Sequence, residues 1–483
     1  MLTWRHFLEA RTVVQDGGME GNLVSARPLD TDPPLQTHLS LSLARAIASA
    51  RPDDAAREAA RWGILDFGGV ALGGAATDSG VAAVRRALGA DDGPSVVIGS
   101  AAGARPADAA VINGYLGHAL DYDDFHPDMR GHPSAVILPA LLAAATDGTD
   151  ATTMLDAYVV GVEVAARLGN AVGPLHYPRG FHSTATLGTV AAAAAVARLR
   201  GLPSDITAIA LGLAATQSAG LRAQFGSQAK PLHAGLASRA GLQSVDFAVA
   251  GLSGNPSVLD APSGFFEAFG FNAQDPARLL DGWGESWRIV SPGLVFKRFP
   301  TCGGTHQAAD AALALRTDEQ RAPEEIADIV VSFPVGADEA PNIRRPVDGV
   351  EARFSLEYVI ATALIDGSVS LSRFGENPVD SRIDFLARKI RRSPDHTVPA
   401  DHENPDGRFA EVTVTLANGE VLTERRNREQ TTTAPIDLAA KFADVTGNAD
   451  ALAGIPTVIS GLRPGNDLAD LLGALRVDHS PTS

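Results

Sequence analysis

The chain has 483 residues, 45% of them hydrophobic and 20% charged, and a formal net charge of −17 at pH 7. That length exceeds one ordinary core and predicts two domains; the acidic balance, with no Lys/Arg cluster interleaved with aromatics, excludes a general nucleic-acid surface. The single cysteine, Cys302, excludes an intrachain disulfide, a cysteine-held iron–sulfur cluster and a zinc site built on cysteine pairs, and makes a reducing, cytoplasmic compartment the expectation.

Residues 1–20 carry Arg5, Glu9, Arg11 and Asp16 without an uninterrupted apolar run, so no targeting segment is read there. Residues 1–36 read as a disordered extension, with Met19 as an alternative start. From about Leu39 to Leu294, Ala-, Leu- and Val-rich runs alternate with glycine-marked loops. Asp53-Asp54 open a helix over Ala55–Val70, and Ala107–Leu116, Ala135–Ala145, Thr153–Leu168, Thr184–Arg200 and Asp205–Ala215 continue the pattern. Gly201 stops one helix and Ser204 or Asp205 caps the next. The longest apolar stretches, such as Val190–Ala197, are too short to span a bilayer, so no membrane partner is expected. Past Pro292 the pattern changes. His306–Arg316 is a predicted helix, Glu325–Phe333 a strand, and Phe409–Leu416 and Val421–Thr423 a hairpin turning at Asn418-Gly419. The expected fold is mainly α: an all-α helical domain over 37–296, an α+β domain over 297–432, and a helical segment over 433–483 returning to the first.

Chemistry-bearing residues collect in four short polar stretches between these helices. The first, Asp121 to Ser134, holds Asp121, Asp123, Asp124, His126, Asp128 and His132. Such a set can bind a divalent metal, cap a loop, or hold one histidine in a chosen tautomer. The spacing lacks the glycine and terminal glutamate of a calcium loop, and no His-Glu-x-x-His occurs. The acid–base reading is therefore favoured, with Asp121 orienting a reactive His132 and no metal. The second stretch, Tyr177–Thr184, places His182 at a helix start. The third, Gly220–Gly235, offers Arg222 as a carboxylate fork, Gln228, His233 and Lys230, the one lysine before Lys297. The fourth, Val295–His306, contributes Lys297 and His306, the latter at the expected domain boundary.

Taken together, Asn113-Gly114 through Leu120-Asp121-Tyr122-Asp123-Asp124, His132-Pro133-Ser134, Gly180-Phe181-His182, Phe225-Gly226 through Lys230-Pro231-Leu232-His233-Ala234-Gly235, Lys297 through His306, and Ala352 through Tyr358 resemble the MmgE/PrpD family. That family includes 2-methylcitrate dehydratases, cis-aconitate decarboxylases and iminodisuccinate epimerases. The resemblance implies a large all-α domain, a smaller α+β lid, a homodimer, and chemistry on di- or tricarboxylates that needs no cofactor. It places Asp121, His132, His182, Lys230 and His306 on active-site positions. Two departures stand out. Phe125 replaces a common threonine, and no tyrosine occurs in Ala340–Pro346, where the decarboxylases carry one. The function expected is a lyase, dehydratase or decarboxylase, working through a carbanion-like intermediate. Epimerisation and a non-catalytic, ligand-binding relative are the alternatives.

Overall fold

A computed structural model describes residues 39–89, 92–316 and 323–477; the expected extension over 1–36 lies outside these. Ten helices come first: α1 Leu39–Ser49, α2 Asp54–Thr77, α3 Gly80–Leu88, α4 Pro106–Ala119, α5 Ser134–Ala144, α6 Ala151–Val172, α7 Ser183–Leu199, α8 Ser204–Ala215, α9 Ala229–Val249 and α10 Phe265–Gly270. Then follow α11 His306–Leu315, β1 Ile326–Pro334, α12 Gly349–Ala352, α13 Leu356–Asp366, α14 Ser381–Ala387, β2 Ile390–Asp395, β3 Phe409–Leu416 and β4 Val421–Asn427. Helices α15 Arg428–Thr432, α16 Leu438–Val445, α17 Ile455–Ser460 and α18 Ala469–Leu475 close the chain. The architecture is mainly α with one small sheet. Among the described residues no helix is long and apolar enough to cross a membrane.

Two large apolar cores form, with a small third cluster of Val70, Leu120, Tyr122 and Val445. One gathers side chains from Leu43 to Ile289 and, from the far end of the chain, Phe442 to Leu475. The other gathers Phe299 to Leu416. In the first core, α5 and α7 are buried almost all round, as alanine-rich helices without a polar face must be. Small residues also let α4 and α9 touch backbone to backbone. A Cβ on Gly114 would lie 2.6 Å from the Gly235 Cα. That contact brings the start of α9 beside the end of α4.

The second core is a four-stranded sheet ordered β2-β1-β3-β4, with α11 against β3 and β4 and α13 packed beside α11. β1 runs antiparallel to β3 and parallel to β2, and β3 pairs with β4 from Phe409↔Asn427 to Thr415↔Val421. The Asn-Gly hairpin forms as its sequence predicts, with Gly419 at φ +88°. Strand β2 has no counterpart among the predicted elements: its Ile-Arg-Arg-Ser-Pro-Asp lacks alternation and contains Pro394, which an edge strand tolerates. The stretch expected as a loop up to Gly235 is instead helical from Ala229, so Lys230 and His233 sit on α9.

Candidate active site

The lysine of α9 is held by hydrogen bonds and by aromatic rings. Lys230 Nζ donates to Asp121 Oδ1 at 2.9 Å and to His118 Nε2 at 2.8 Å, and lies 5.3 Å from the Phe225 ring centroid. Lys297 Nζ reaches the same carboxylate oxygen at 2.7 Å and the Asp121 carbonyl at 2.7 Å. Two ammonium groups thus converge on one buried oxygen. The backbone of Asp121 is held at φ +50°, a conformation aspartate tolerates better than most residues. Burial alone would raise its carboxyl, but the two ammoniums outweigh it and hold the group well below the ordinary carboxylate range.

Asp121 is not the carboxylate against His132, because both its neighbours are lysines. His132 Nδ1 donates to the Asp124 carbonyl at 2.7 Å and lies 3.2 Å from Asp123 Oδ2. Asp123 also accepts from His118 Nδ1 at 2.9 Å. His118 therefore carries its proton on Nδ1 and accepts from Lys230 on Nε2, and His132 keeps Nε2 bare. The orienting carboxylate is Asp123, with His118 as a relay to Lys230. Both stood in the quoted motif, but spacing alone does not separate three aspartates within four positions.

The loop of His132 rests on the start of α7. His132 N–H donates to Thr184 Oγ1 at 3.1 Å, and a Cβ on Gly131 would meet the Thr184 amide nitrogen at 2.8 Å. This close approach brings His132 beside His182, the residue that opens α7. His182 Nδ1 pairs with His233 Nδ1 at 3.2 Å, so one of the two donates and their tautomers are linked. Buried His182 Nε2 has no partner among the described residues.

A cavity collects these groups. Asp121, His132, His182, Lys230, Lys297 and His306 all line it. Arg222, Gln228 and His233 do not. Arg222 spends its charge on the wall: it donates to Tyr177 O at 2.7 Å and Glu339 Oε2 at 3.0 Å, and its guanidinium stacks over the Tyr177 ring at 4.2 Å. Gln228 is exposed and donates to Glu376 at 3.2 Å, and His233 backs His182. Phe125 also lines the cavity, as does Ala340 at the start of the segment that lacks a tyrosine.

Four donors, His118, Asp121, Asp123 and His132, lie within 4.8 Å of one another, close enough for a cation. Asp121 Oδ2 has no partner among the described residues, but the ammoniums of Lys230 and Lys297 on Oδ1 put two positive charges where a cation would have to sit. The set fits a lysine–carboxylate pair better than a metal.

Burial keeps the imidazoles neutral. It lowers His118 and His306 to about 3 and His176 to about 4, and it lowers His126, His132, His182 and His233 as well. Each folded value lies below the unfolded value of about 6.5. The unfolded chain therefore binds these protons first, and the stability they contribute is complete above pH 6.5 and lost on acidification. Buried Asp66, Asp78, Asp124 and Asp310 are raised by desolvation and act in the opposite sense. Seven imidazoles against four carboxyls leave a net loss, each imidazole contributing up to about 1.4 kcal/mol per pH unit. Denaturant midpoints should fall steadily from pH 7 to pH 5; a flat or rising profile would contradict the neutral-imidazole assignment.

Comparison with known proteins adds to this geometry. The family model described as the MmgE/PrpD N-terminal domain matches residues 41–277, and that of the MmgE/PrpD C-terminal domain matches 299–448. The chain is 33% identical to the cis-aconitate decarboxylase of Homo sapiens and 31% identical to that of Mus musculus, in each case over 66% of this chain and 67% of the relative. It is 28% identical to the cis-aconitate decarboxylase of Aspergillus terreus (strain NIH 2624 / FGSC A1156), over 68% of this chain and 71% of the relative.

Proposed function

Since this chain belongs to the MmgE/PrpD family, we propose that it is a lyase that removes carbon dioxide or water from a small tricarboxylate in the cavity around Asp121, without a metal or organic cofactor. The observation that carries the reading is the convergence of Lys230 and Lys297 on one Asp121 oxygen, beside the unpartnered His182 Nε2. Both ammoniums line the cavity, whereas the second carboxylate, Asp123, lies behind His118 and His132, so the wall can hold a substrate carboxylate and offset a developing carbanion. In decarboxylation the C–C bond to one carboxylate breaks. The electron pair stays on the carbon skeleton, and a proton must then reach carbon. His132 through Nε2 and His182 through Nε2 are the groups placed to move that proton. A bound tricarboxylate would raise both imidazoles by Coulombic attraction, allowing them to donate as well as accept. His306, whose Nε2 donates to the Thr301 carbonyl at 3.3 Å, presents Nδ1 as a further polar contact on the second-core wall.

Phe125 in place of a threonine, and a segment 340–346 without a tyrosine, depart from the decarboxylase pattern, so the second reading is proton removal and return to the opposite face, an epimerisation. Proton NMR in deuterated water with cis-aconitate, citrate, 2-methylcitrate and iminodisuccinate separates the two. We expect new vinyl signals or carboxylate loss with a tricarboxylate, and unchanged turnover after exhaustive chelation. Deuterium uptake into iminodisuccinate without net conversion would replace the lyase by the epimerase. Activity lost to the chelator and restored by one metal would end the cofactor-free reading.

A further inference from the structure

The cavity has a second charged region. Arg130, Arg298, Arg408 and Arg428 all line it. Arg408 immediately precedes β3 and Arg428 immediately follows β4, and Phe409 and Asn427 between them are register partners. The Arg428 N–H donates to the Arg408 carbonyl at 2.8 Å, so two cationic residues sit side by side at one end of the hairpin. Like charges opposite one another across a strand pair are destabilising. Arg130 faces them from the loop between α4 and α5, on the first-core side, with its backbone at φ +50°, where a non-glycine residue is strained.

The local carboxylates do not neutralise this group. Arg298 is satisfied by both Asp310 oxygens at 2.8 and 3.0 Å. Glu339 is paired with Arg222 at 3.0 Å, and Asp401 with Arg408 at 3.3 Å. Asp406 lies 3.8 Å from Arg428, but its side chain is 98% exposed and the pair is screened by water. The Arg428 guanidinium otherwise donates to the Pro405 carbonyl at 3.0 Å. Arg130 makes no ion pair or side-chain hydrogen bond among the described residues. Desolvation lowers both Arg130 and Arg428; Asp401 attracts both, and each also feels Arg408 as a repelling neighbour. Among the described residues, Arg130 and Arg428 thus have no carboxylate of their own within ion-pair distance inside the cavity: Asp401, paired with Arg408, is the one partly buried carboxylate that the three guanidiniums share on the wall of a cavity that would hold a small anion.

We propose that Arg130, Arg408 and Arg428 form a second carboxylate subsite, which takes a substrate carboxylate other than the one held by Lys230 and Lys297 and so selects tricarboxylates over dicarboxylates. The proposal rests on the lyase reading for the identity of its ligand as substrate, but its test does not need turnover. The probes are tricarballylate, a saturated tricarboxylate with no bond poised to react, glutarate and inorganic phosphate, measured by calorimetry on the full chain. Wild type should bind tricarballylate more tightly than glutarate. Arg130→Gln and Arg428→Gln should each weaken tricarballylate on the order of ten- to a hundredfold, the usual range for a lost hydrogen bond to a charged group, and leave glutarate nearly unchanged. Arg130→Gly serves if the glutamine variant folds poorly, because glycine adopts φ +50° without strain.

Tricarballylate binding that survives both glutamine substitutions overturns the subsite. So does an equal loss of both organic ligands, or phosphate binding as tightly as tricarballylate with the same arginine dependence. If no substrate is turned over while arginine-dependent tricarballylate binding persists, the lyase reading fails and the subsite stands. If turnover occurs and KM is unmoved in both variants, the subsite fails and the lyase reading stands.

Discussion

Lys230→Met is expected to reduce kcat by about three orders of magnitude while the protein remains folded, combining the loss of a charge aimed at the developing anion with that of a polar partner. Methionine has nearly the length and volume of the lysine stem, so the space between the Phe225 and Phe354 rings, 5.3 and 5.4 Å from Nζ, stays filled. Asp121 keeps Lys297 at 2.7 Å and so is not left as an unpaired buried charge. What disappears is the ammonium and its donation to His118 Nε2. His118 would then lose the contact that fixes its acceptor side, and through Asp123 the setting of His132 would loosen. Steady-state kinetics beside a denaturation curve decide the matter. Near-wild-type kcat with an intact fold removes Lys230 from the chemistry, and with it the proposed mechanism. A collapse of stability would instead mark the lysine as structural.

How much of this arrangement the sequence announces depends on which residue is asked. Lys230 was conspicuous, since nothing else in the first 296 residues is a lysine. Its partner was not. Asp121, Asp123 and Asp124 lie almost adjacent in the chain but meet different neighbours: two lysines, two histidines, and Ser134 with an orphan oxygen. Only the left-handed turn at Asp121 separates them, and it leaves no periodic signal. Arg222 illustrates the opposite error. An arginine in a polar loop suggests a carboxylate fork, yet Glu339, more than a hundred residues later, had already claimed it. The helices were legible because alanine-rich runs bounded by glycine, proline and aspartate state their own limits. Asp53, for example, accepts from the Ala56 N–H at 2.8 Å as a helix cap should. The arginines of the cavity could not be read at all. Arg130, Arg408 and Arg428 meet only because the β3–β4 hairpin closes and its end faces a loop nearly 300 residues earlier.

Asp121→Asn is expected to be costly in a different way. Asparagine keeps the shape of the side chain and tolerates φ +50° as well as aspartate does, so the substitution removes charge without adding backbone strain. Lys230 and Lys297 would then face a neutral amide from 2.9 and 2.7 Å inside a buried site. Breaking a buried ion pair from one side generally costs about 3–5 kcal/mol. Here one carboxylate serves two ammoniums, and part of the cost is relieved if a lysine gives up its proton. Burial already lowers Lys230, and removing the nearest anion pushes it further in the same direction. Activity should therefore fall more than a hundredfold at pH 7 and recover in part at lower pH, where Lys230 is recharged. Stability should drop at every pH at which the carboxylate of the wild type is ionised. Nothing comparable should follow Asp128→Asn, because Asp128 pairs with Arg288 at 3.3 Å outside the cavity and no lysine depends on it. Equal effects of the two substitutions, in kinetics and denaturation measured side by side, would mean that the loop tolerates no change of charge anywhere, and the special role given to the Asp121 oxygen would have to be abandoned.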